Sequence, residues 1–311
     1  MRVLFWGTPE FAAPPLRALI GEGFEVVGVV TQPDRAVGRS RSKLEAPPVK
    51  LVALEESIPV FQPERPRGEE FLAQLRAVAP ELSVVVAYGH ILTTEVINRP
   101  RLGTINIHAS LLPLLRGAAP IQAAIREGHA ETGITIMRMV KALDAGPSIL
   151  QVRTPIYEDE TYGELQLRLA ELGALALIEA LALFALGSAK ETAQDDAQAT
   201  YASKVDRAST RVSWTASAVE VARTIRAYDP RPGAFAATSN GEVKLFGGRV
   251  TASPPNRGVP GEVLEVGDGG MVVACGTDAV SISAVHPAGK RRITPAEWAR
   301  GRGIVSGERL T

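Results

Sequence analysis

The chain is nearly without cysteine. Cys275 is the only one in 311 residues, so no intrachain disulfide can form and a reducing compartment is expected. Long apolar runs are also missing. The most apolar window, residues 173–186, covers fourteen residues and still contains Glu179, short of the roughly 20 apolar residues a membrane-spanning helix needs. The opening Met-Arg-Val-Leu-Phe-Trp-Gly holds too short an apolar run for a signal peptide. A cytoplasmic protein with no membrane association is expected. The four histidines, His90, His108, His129 and His286, show no paired ligand spacing, so no metal is expected. No Gly-x-Ser-x-Gly is present, which removes the landmark of an α/β serine hydrolase. The loop Gly7-Thr8-Pro9-Glu10 has one glycine where a dinucleotide fingerprint needs three, so no NAD is expected.

Nor is there a surplus of charge. Lys and Arg number 34, as do Asp and Glu, a balance that by itself disfavours a nucleic-acid partner. The balance is uneven along the chain, however. Residues 206–311 carry 14 basic and 10 acidic side chains, whereas residues 157–196 carry two basic and nine acidic.

What is present is a globular chain of about two domains by length. Hydrophobic residues at 45% and charged residues at 22% exclude a disordered or collagen-like polymer. In the first half, apolar runs without polar alternation (residues 3–6, 26–31, 60–61, 82–87, 104–108 and 134–140) alternate with helical patterns. That order predicts an α/β fold with a Rossmann-like, mostly parallel sheet over residues 1–188. A capping box, Thr161 with Glu164, predicts the start of a long closing helix. The polar, acidic stretch 189–205 reads as a linker. Over 206–311, short strands separated by Pro and Gly predict a small β-barrel of OB-like character.

In such sheets, ligands bind beyond the carboxyl ends of the strands. Asn106 and His108 end one predicted strand and, two residues apart, share one face. An amide can stabilise a developing oxyanion, and an imidazole can move a proton near neutral pH. Asp144, on the next strand-end loop, can orient His108. The segment 109–120 places apolar residues and prolines in a loop, which suits a flat heteroaromatic ligand. The long loop 34–50 carries Arg35, Arg39, Arg41, Lys43 and Lys50 against Asp34 and Glu45, suited to phosphates. A second basic cluster holds Lys290, Arg291, Arg292, Arg300, Arg302 and Arg309.

Taken together, these motifs resemble the folate-dependent formyltransferases. The match runs through Asn106-Ile107-His108-Ala109-Ser110-Leu111-Leu112-Pro113, Arg116-Gly117 and Leu143-Asp144-Ala145-Gly146. Thr31-Gln32-Pro33-Asp34-Arg35, Gly38-Arg39, Lys43 and Pro48-Val49-Lys50 are similar to the insertion loop of the members that act on methionyl-tRNA. Residues 84–89, 116–122 and 287–290 extend the likeness over nearly the whole chain. The sequence departs from the pattern at His90, Leu114, Leu115 and Pro147.

The resemblance implies transfer of a formyl group from 10-formyltetrahydrofolate to the α-amino group of methionyl initiator tRNA, in a monomer. It implies a catalytic trio of Asn106, His108 and Asp144. Folate would lie along Tyr88, Gly89, His90, Ile91 and Leu92 and along Ser110, Leu111, Leu112 and Pro113. Arg35, Arg39, Arg41 and Lys43 would meet the acceptor stem, and Lys290, Arg291 and Arg292 the tRNA body. Three other readings fit parts of the sequence. They are a formyltransferase for another amine (glycinamide ribonucleotide or an amino sugar nucleotide), a formyl-folate hydrolase, and a non-catalytic RNA-binding protein.

Overall fold

A computed structural model describes residues 1–37, 43–251 and 258–311. Its first sheet is built from β1 (Arg2–Gly7), β2 (Glu25–Val30), β3 (Val60–Phe61), β4 (Leu82–Val86), β5 (Thr104–His108), β6 (Glu131–Arg138) and β7 (Ser148–Pro155). Their order is β7-β6-β5-β4-β1-β2-β3. Strands β1 to β5 are parallel, and β6 runs antiparallel to β5. The helices are α1 (Ala13–Gly21), α2 (Pro48–Glu55), α3 (Glu69–Val78), α4 (Thr94–Ile97), α5 (Pro120–Glu127), α6 (Tyr162–Ala185), α7 (Ala218–Ala227) and α8 (Pro295–Arg300). None of them is long and apolar enough to cross a membrane.

Burial on both faces explains why the strands carry no polar alternation. All five residues of β4 are buried. In β1, Leu4 and Trp6 join Phe71, Leu72 and Leu75 of α3 in one cluster. Val3 and Phe5, pointing the other way, are equally buried. The polar Ser83 inside β4 is satisfied by Trp6, whose Nε1–H donates to its hydroxyl at 3.1 Å. Helix α6 starts with the expected capping box, Glu164 N donating to the Thr161 hydroxyl and Thr161 N to the Glu164 carboxylate. Its Gly173 allows close approach to the sheet, because an added Cβ would come within 3.2 Å of Ile107 on β5.

The winding of the sheet reverses between β1 and β4, and the crevice lies where the loops after those strands diverge. There the Thr8 hydroxyl and the Gln32 amide both donate to the carbonyl of Tyr88, at 2.9 and 3.1 Å.

Two compact units make up the chain. The first comprises Met1–Gly117, Thr132–Thr154 and Gln166–Tyr201, and the second Ala118–Glu131, Pro155–Leu165 and Ala202–Thr311. Helix α5 falls in the second unit because its apolar residues pack against α7. This second unit is a small β domain. Strands β8 (Ala234–Thr238), β9 (Gly241–Thr251), β10 (Val263–Gly267), β11 (Gly270–Ala274) and β12 (Ala279–Pro287) form an antiparallel sheet in the order β8-β9-β12-β11-β10.

The last residues join the two edges of that sheet. Ala237 on β8 exchanges backbone hydrogen bonds with Thr311, at 2.6 and 2.9 Å. On the β10 side, Leu310 N donates to Gly261 O and Val263 N to Glu308 O, both at 2.8 Å. These contacts pair the last residues with both edge strands of the sheet. Leu310 itself is buried in a core with Trp214, Ile225, Val280, Ile282 and Trp298. Leu310→Ala is expected to lower stability by about 2–5 kcal/mol, the usual cost of emptying a buried leucine site. Urea unfolding followed by tryptophan fluorescence checks this. An unchanged midpoint would show that these contacts contribute nothing.

Candidate active site

Strand β5 delivers two residues to the crevice. His108 is buried, at 5% exposure, between two partners. Its Nε2 lies 3.0 Å from the carbonyl of Leu115, which fixes Nε2 as the protonated nitrogen of the neutral ring. Its Nδ1 then carries the lone pair and faces Asp144 Oδ2 at 3.7 Å. That gap is too long for a direct hydrogen bond. Asp144 Oδ2 is already anchored, accepting from the backbone N–H of Gly117 at 2.8 Å. Asn106, on the same face of β5, is half-buried, and its side-chain amide has no hydrogen-bond partner among the described residues.

The loops that carry these partners are conformationally unusual. Ala87, Leu115 and Asp144, at the ends of the loops after β4, β5 and β6, all adopt left-handed backbone, with φ of 46°, 57° and 48°. A non-glycine residue in that region costs on the order of 1–3 kcal/mol and persists only where its surroundings hold it. Those surroundings are visible. The Ser110 hydroxyl donates to Leu114 O at 2.6 Å, and Ser110 O accepts from the Thr135 hydroxyl at 2.7 Å. Leu112 N donates to that same Thr135 hydroxyl at 3.1 Å, and the Gln151 amide donates to Leu112 O at 2.6 Å. Gly146 sits so close to the neighbouring chain that a Cβ would fall 1.7 Å from Arg138 O.

The residues expected along folate divide into buried and open ones. Tyr88 is buried and packs edge-on against Trp6, at 5.3 Å between centroids. Burial pushes its hydroxyl up to about 12, and the hydroxyl has no partner. Leu92 and Leu112 are buried as well, while Leu111 and Pro113 are half-buried. Ile91 is 88% exposed, and Gly89 and His90 are also open. An apolar side chain left that bare at the crevice is a ready wall for a flat ring.

Of the basic residues, Arg35 lies on a short ribbon (Arg35–Val37 paired with Lys43–Glu45) and donates to Gln32. Lys43 is exposed on the opposite strand. Arg39 and Arg41 lie outside the described residues. Lys50 is not free, because it donates to both oxygens of Asp34 at 2.8 Å. Gln62 and that ammonium hold the Asp34 carboxyl below its usual range. In the second unit, Arg292 stacks on Phe246 at 4.0 Å and reaches Asp229 at 3.5 Å. Arg291 reaches Glu297 at 3.5 Å, while Lys290 is exposed with no ion pair among the described residues. The one cavity described, of about 500 Å³, lies beside Arg207, Phe235, Lys244 and His286, all of the second unit.

Three residues the sequence reading passed over complete the first unit's site. Thr135 and Gln151 fasten the loop after β5, and Gln194 ties Asp144 to Arg116. No sequence signal marks them, since each is a lone polar residue in an unremarkable stretch. Among the described residues, no three His, Cys, Asp or Glu side chains come together as a metal site would need.

An amide beside an imidazole with a carboxylate near it is a set of groups that can assist transfer at a carbonyl carbon. Residues 1–181 match the formyl transferase family and residues 204–303 match the formyl transferase C-terminal domain. The chain belongs to the formyl transferase family. It is 48% identical over 291 residues to a methionyl-tRNA formyltransferase of Pseudomonas putida (strain GB-1), covering 93% of both chains. It is 44% identical over 310 residues to a methionyl-tRNA formyltransferase of Moorella thermoacetica, covering 100% of this chain and 99% of that one. Among solved structures, HypX from Aquifex aeolicus in complex with tetrahydrofolic acid matches 97% of this chain with a TM-score of 0.66 at 20% identity. The chain spans about half the length of HypX, 47%, and the likeness is one of fold.

Gly146→Ala is expected to displace the Asp144 loop, because the added carbon meets backbone rather than a movable side chain. The transfer rate should fall by roughly 100-fold, the scale on which small misplacements act. A stopped-assay rate equal to that of the parent would contradict the packing described.

Proposed function

We propose that the chain transfers a formyl group from 10-formyltetrahydrofolate to the α-amino group of methionyl initiator tRNA, acting as a cytoplasmic monomer. The observation that carries this reading is the unpartnered amide of Asn106 beside His108, whose ring stands between Leu115 O and Asp144. The names and near-complete coverage of the Pseudomonas and Moorella relatives support the choice of acceptor. Residues 1–188 would be the catalytic domain, 189–205 the connection, and 206–311 the tRNA-binding domain.

Direct attack of the amine on the formyl carbon needs no covalent enzyme intermediate. An aminoacyl amine has a pKa of about 8 or somewhat below, so a useful fraction is neutral at pH 7. Asn106 donates to the formyl oxygen as charge develops there. His108 takes the amine's proton at Nδ1, Asp144 stabilises the imidazolium that results, and the proton passes on to the leaving folate nitrogen. Tyr88, Gly89, His90, Ile91 and Leu92 wall one side of the folate ring, and Ser110, Leu111, Leu112 and Pro113 the other. Arg35, Arg39, Arg41, Lys43, Lys290, Arg291 and Arg292 meet the phosphates of the tRNA.

His108→Ala should keep the binding of both substrates and slow single-turnover formylation by roughly 10²–10⁴. Asn106→Ala should slow it by roughly 10²–10³. Near-parental rates in either variant would remove that residue from the trio. Initiator against elongator methionyl-tRNA, with folate release measured when no amine is supplied, separates this reading from a hydrolase or another acceptor.

The basic residues should divide by their contacts. Lys290→Ala is expected to weaken tRNA binding and to flatten the dependence of log affinity on log salt by about one unit. Arg292→Ala should show a loss of thermal stability besides, since its guanidinium also covers Phe246. Filter binding across a salt series reads the first and a thermal melt the second. An unchanged salt slope for Lys290→Ala would take that residue out of the interface.

A further inference from the structure

We infer that Gln194 is a positioning residue for Asp144, and that the segment around it straps the two active-site loops together. This rests on the proposed formyl transfer. Every hydrogen-bonding site of the Gln194 side chain is used. Its Nε2 donates to the carbonyls of Asp144 at 2.8 Å and Gly146 at 2.7 Å. Its Oε1 accepts from Arg116 Nε at 3.0 Å and Arg116 Nη2 at 2.8 Å. The amide thus spans the loop after β5, through Arg116, and the loop after β6, through Asp144. Arg116 is only 3% exposed, so its charge must be met locally, and Asp196 of the same segment accepts from it at 2.7 Å.

The segment is anchored on both sides of Gln194. Ser148 and Thr192 exchange backbone hydrogen bonds at 2.8 Å each, and Arg138 Nε donates to Glu191 at 3.0 Å. Further on, the Thr200 hydroxyl accepts from Leu115 N at 2.8 Å, and Thr200 O from Arg116 N at 2.9 Å. Both groups that flank the His108 ring, the Leu115 carbonyl and the Asp144 carboxylate, therefore depend on this one stretch of chain. Both also sit in left-handed backbone, which relaxes when unheld. The side chain must donate on one side and accept on the other, which a neutral amide does and a carboxylate does not.

The test uses the full-length protein, with Gln194→Glu as the central variant. Glutamate keeps the contact with Arg116 and loses donation to both carbonyls. Formylation should slow by about 10–100-fold, as for a small misplacement of a reacting group, with KM for folate and tRNA within about 2-fold. In an Asp144→Asn background, Gln194→Ala should slow the reaction by less than about 2-fold more, because the two act as one unit. Independently of activity, the ring nitrogen resonances of His108 should move in Gln194→Glu. Parental rate with unmoved His108 resonances, or losses that multiply with Asp144→Asn, would overturn the inference. A parental protein that transfers no formyl group would instead sink the proposed function, and the His108 resonances alone would then decide the role of Gln194.

Discussion

The imidazole of His108 stands between the carbonyl of Leu115 and the carboxylate of Asp144, and the rest of the first unit serves that placement. One contact fixes which nitrogen of the neutral ring carries the proton, and the other sets a carboxylate 3.7 Å from the second nitrogen. Neither partner is near His108 by chain order alone. Leu115 reaches it because the loop after β5 turns back through a left-handed residue, and Asp144 because the loop after β6 does the same. The parallel sheet brings the ends of β4 and β5 together, whereas β6 runs antiparallel and ends at Arg138, opposite Ile105 near the start of β5, so the loop that follows must turn back to carry Asp144 to His108. The hydrogen bonds of Thr135, Gln151 and Gln194 then hold loops whose backbone alone would favour other conformations.

Two kinds of interaction divide the work. Apolar burial builds the scaffold, with Trp6, Phe71 and Tyr88 packed edge to face at the switch point. Polar contacts with full pairing set the positions of the reacting groups, since a half-satisfied buried network would cost more than an apolar core. Among the described residues, the Asn106 amide and the Tyr88 hydroxyl have no hydrogen-bond partner. In the second unit, burial again dominates, and the segment that ends at Thr311 hydrogen-bonds to both edges of the five-stranded sheet.

Much of this was legible in the residues. The runs 82–87 and 104–108 read as buried strands because nothing polar alternates in them, and β4 and β5 fall there. Asn106 and His108 were visible as a pair because a strand repeats every two residues. Strand β7 was not legible, because as an edge strand it buries little and its apolar residues are few and mixed with polar ones. Helices α5 and α8 span eight and six residues, too short for a stripe to develop. The stretch 189–205 read as a linker because it is polar and aperiodic. Its first half is held against the loops after β5 and β6 by side-chain hydrogen bonds that leave no periodic trace.

The sequence alone determined the sheet type and the family likeness, and it singled out Asn106, His108 and Asp144 as candidates, because each is written in local pattern or short motif. Only the tertiary structure decided which nitrogen of His108 faces the carboxylate, which lysine is neutralised by Asp34, and how Gln194 couples two loops. Those facts depend on contacts between residues as many as 80 positions apart, as Arg116 and Asp196 are. Distance along the chain carries no record of such contacts. They exist only once burial has brought the segments together and left each polar group a single partner within reach.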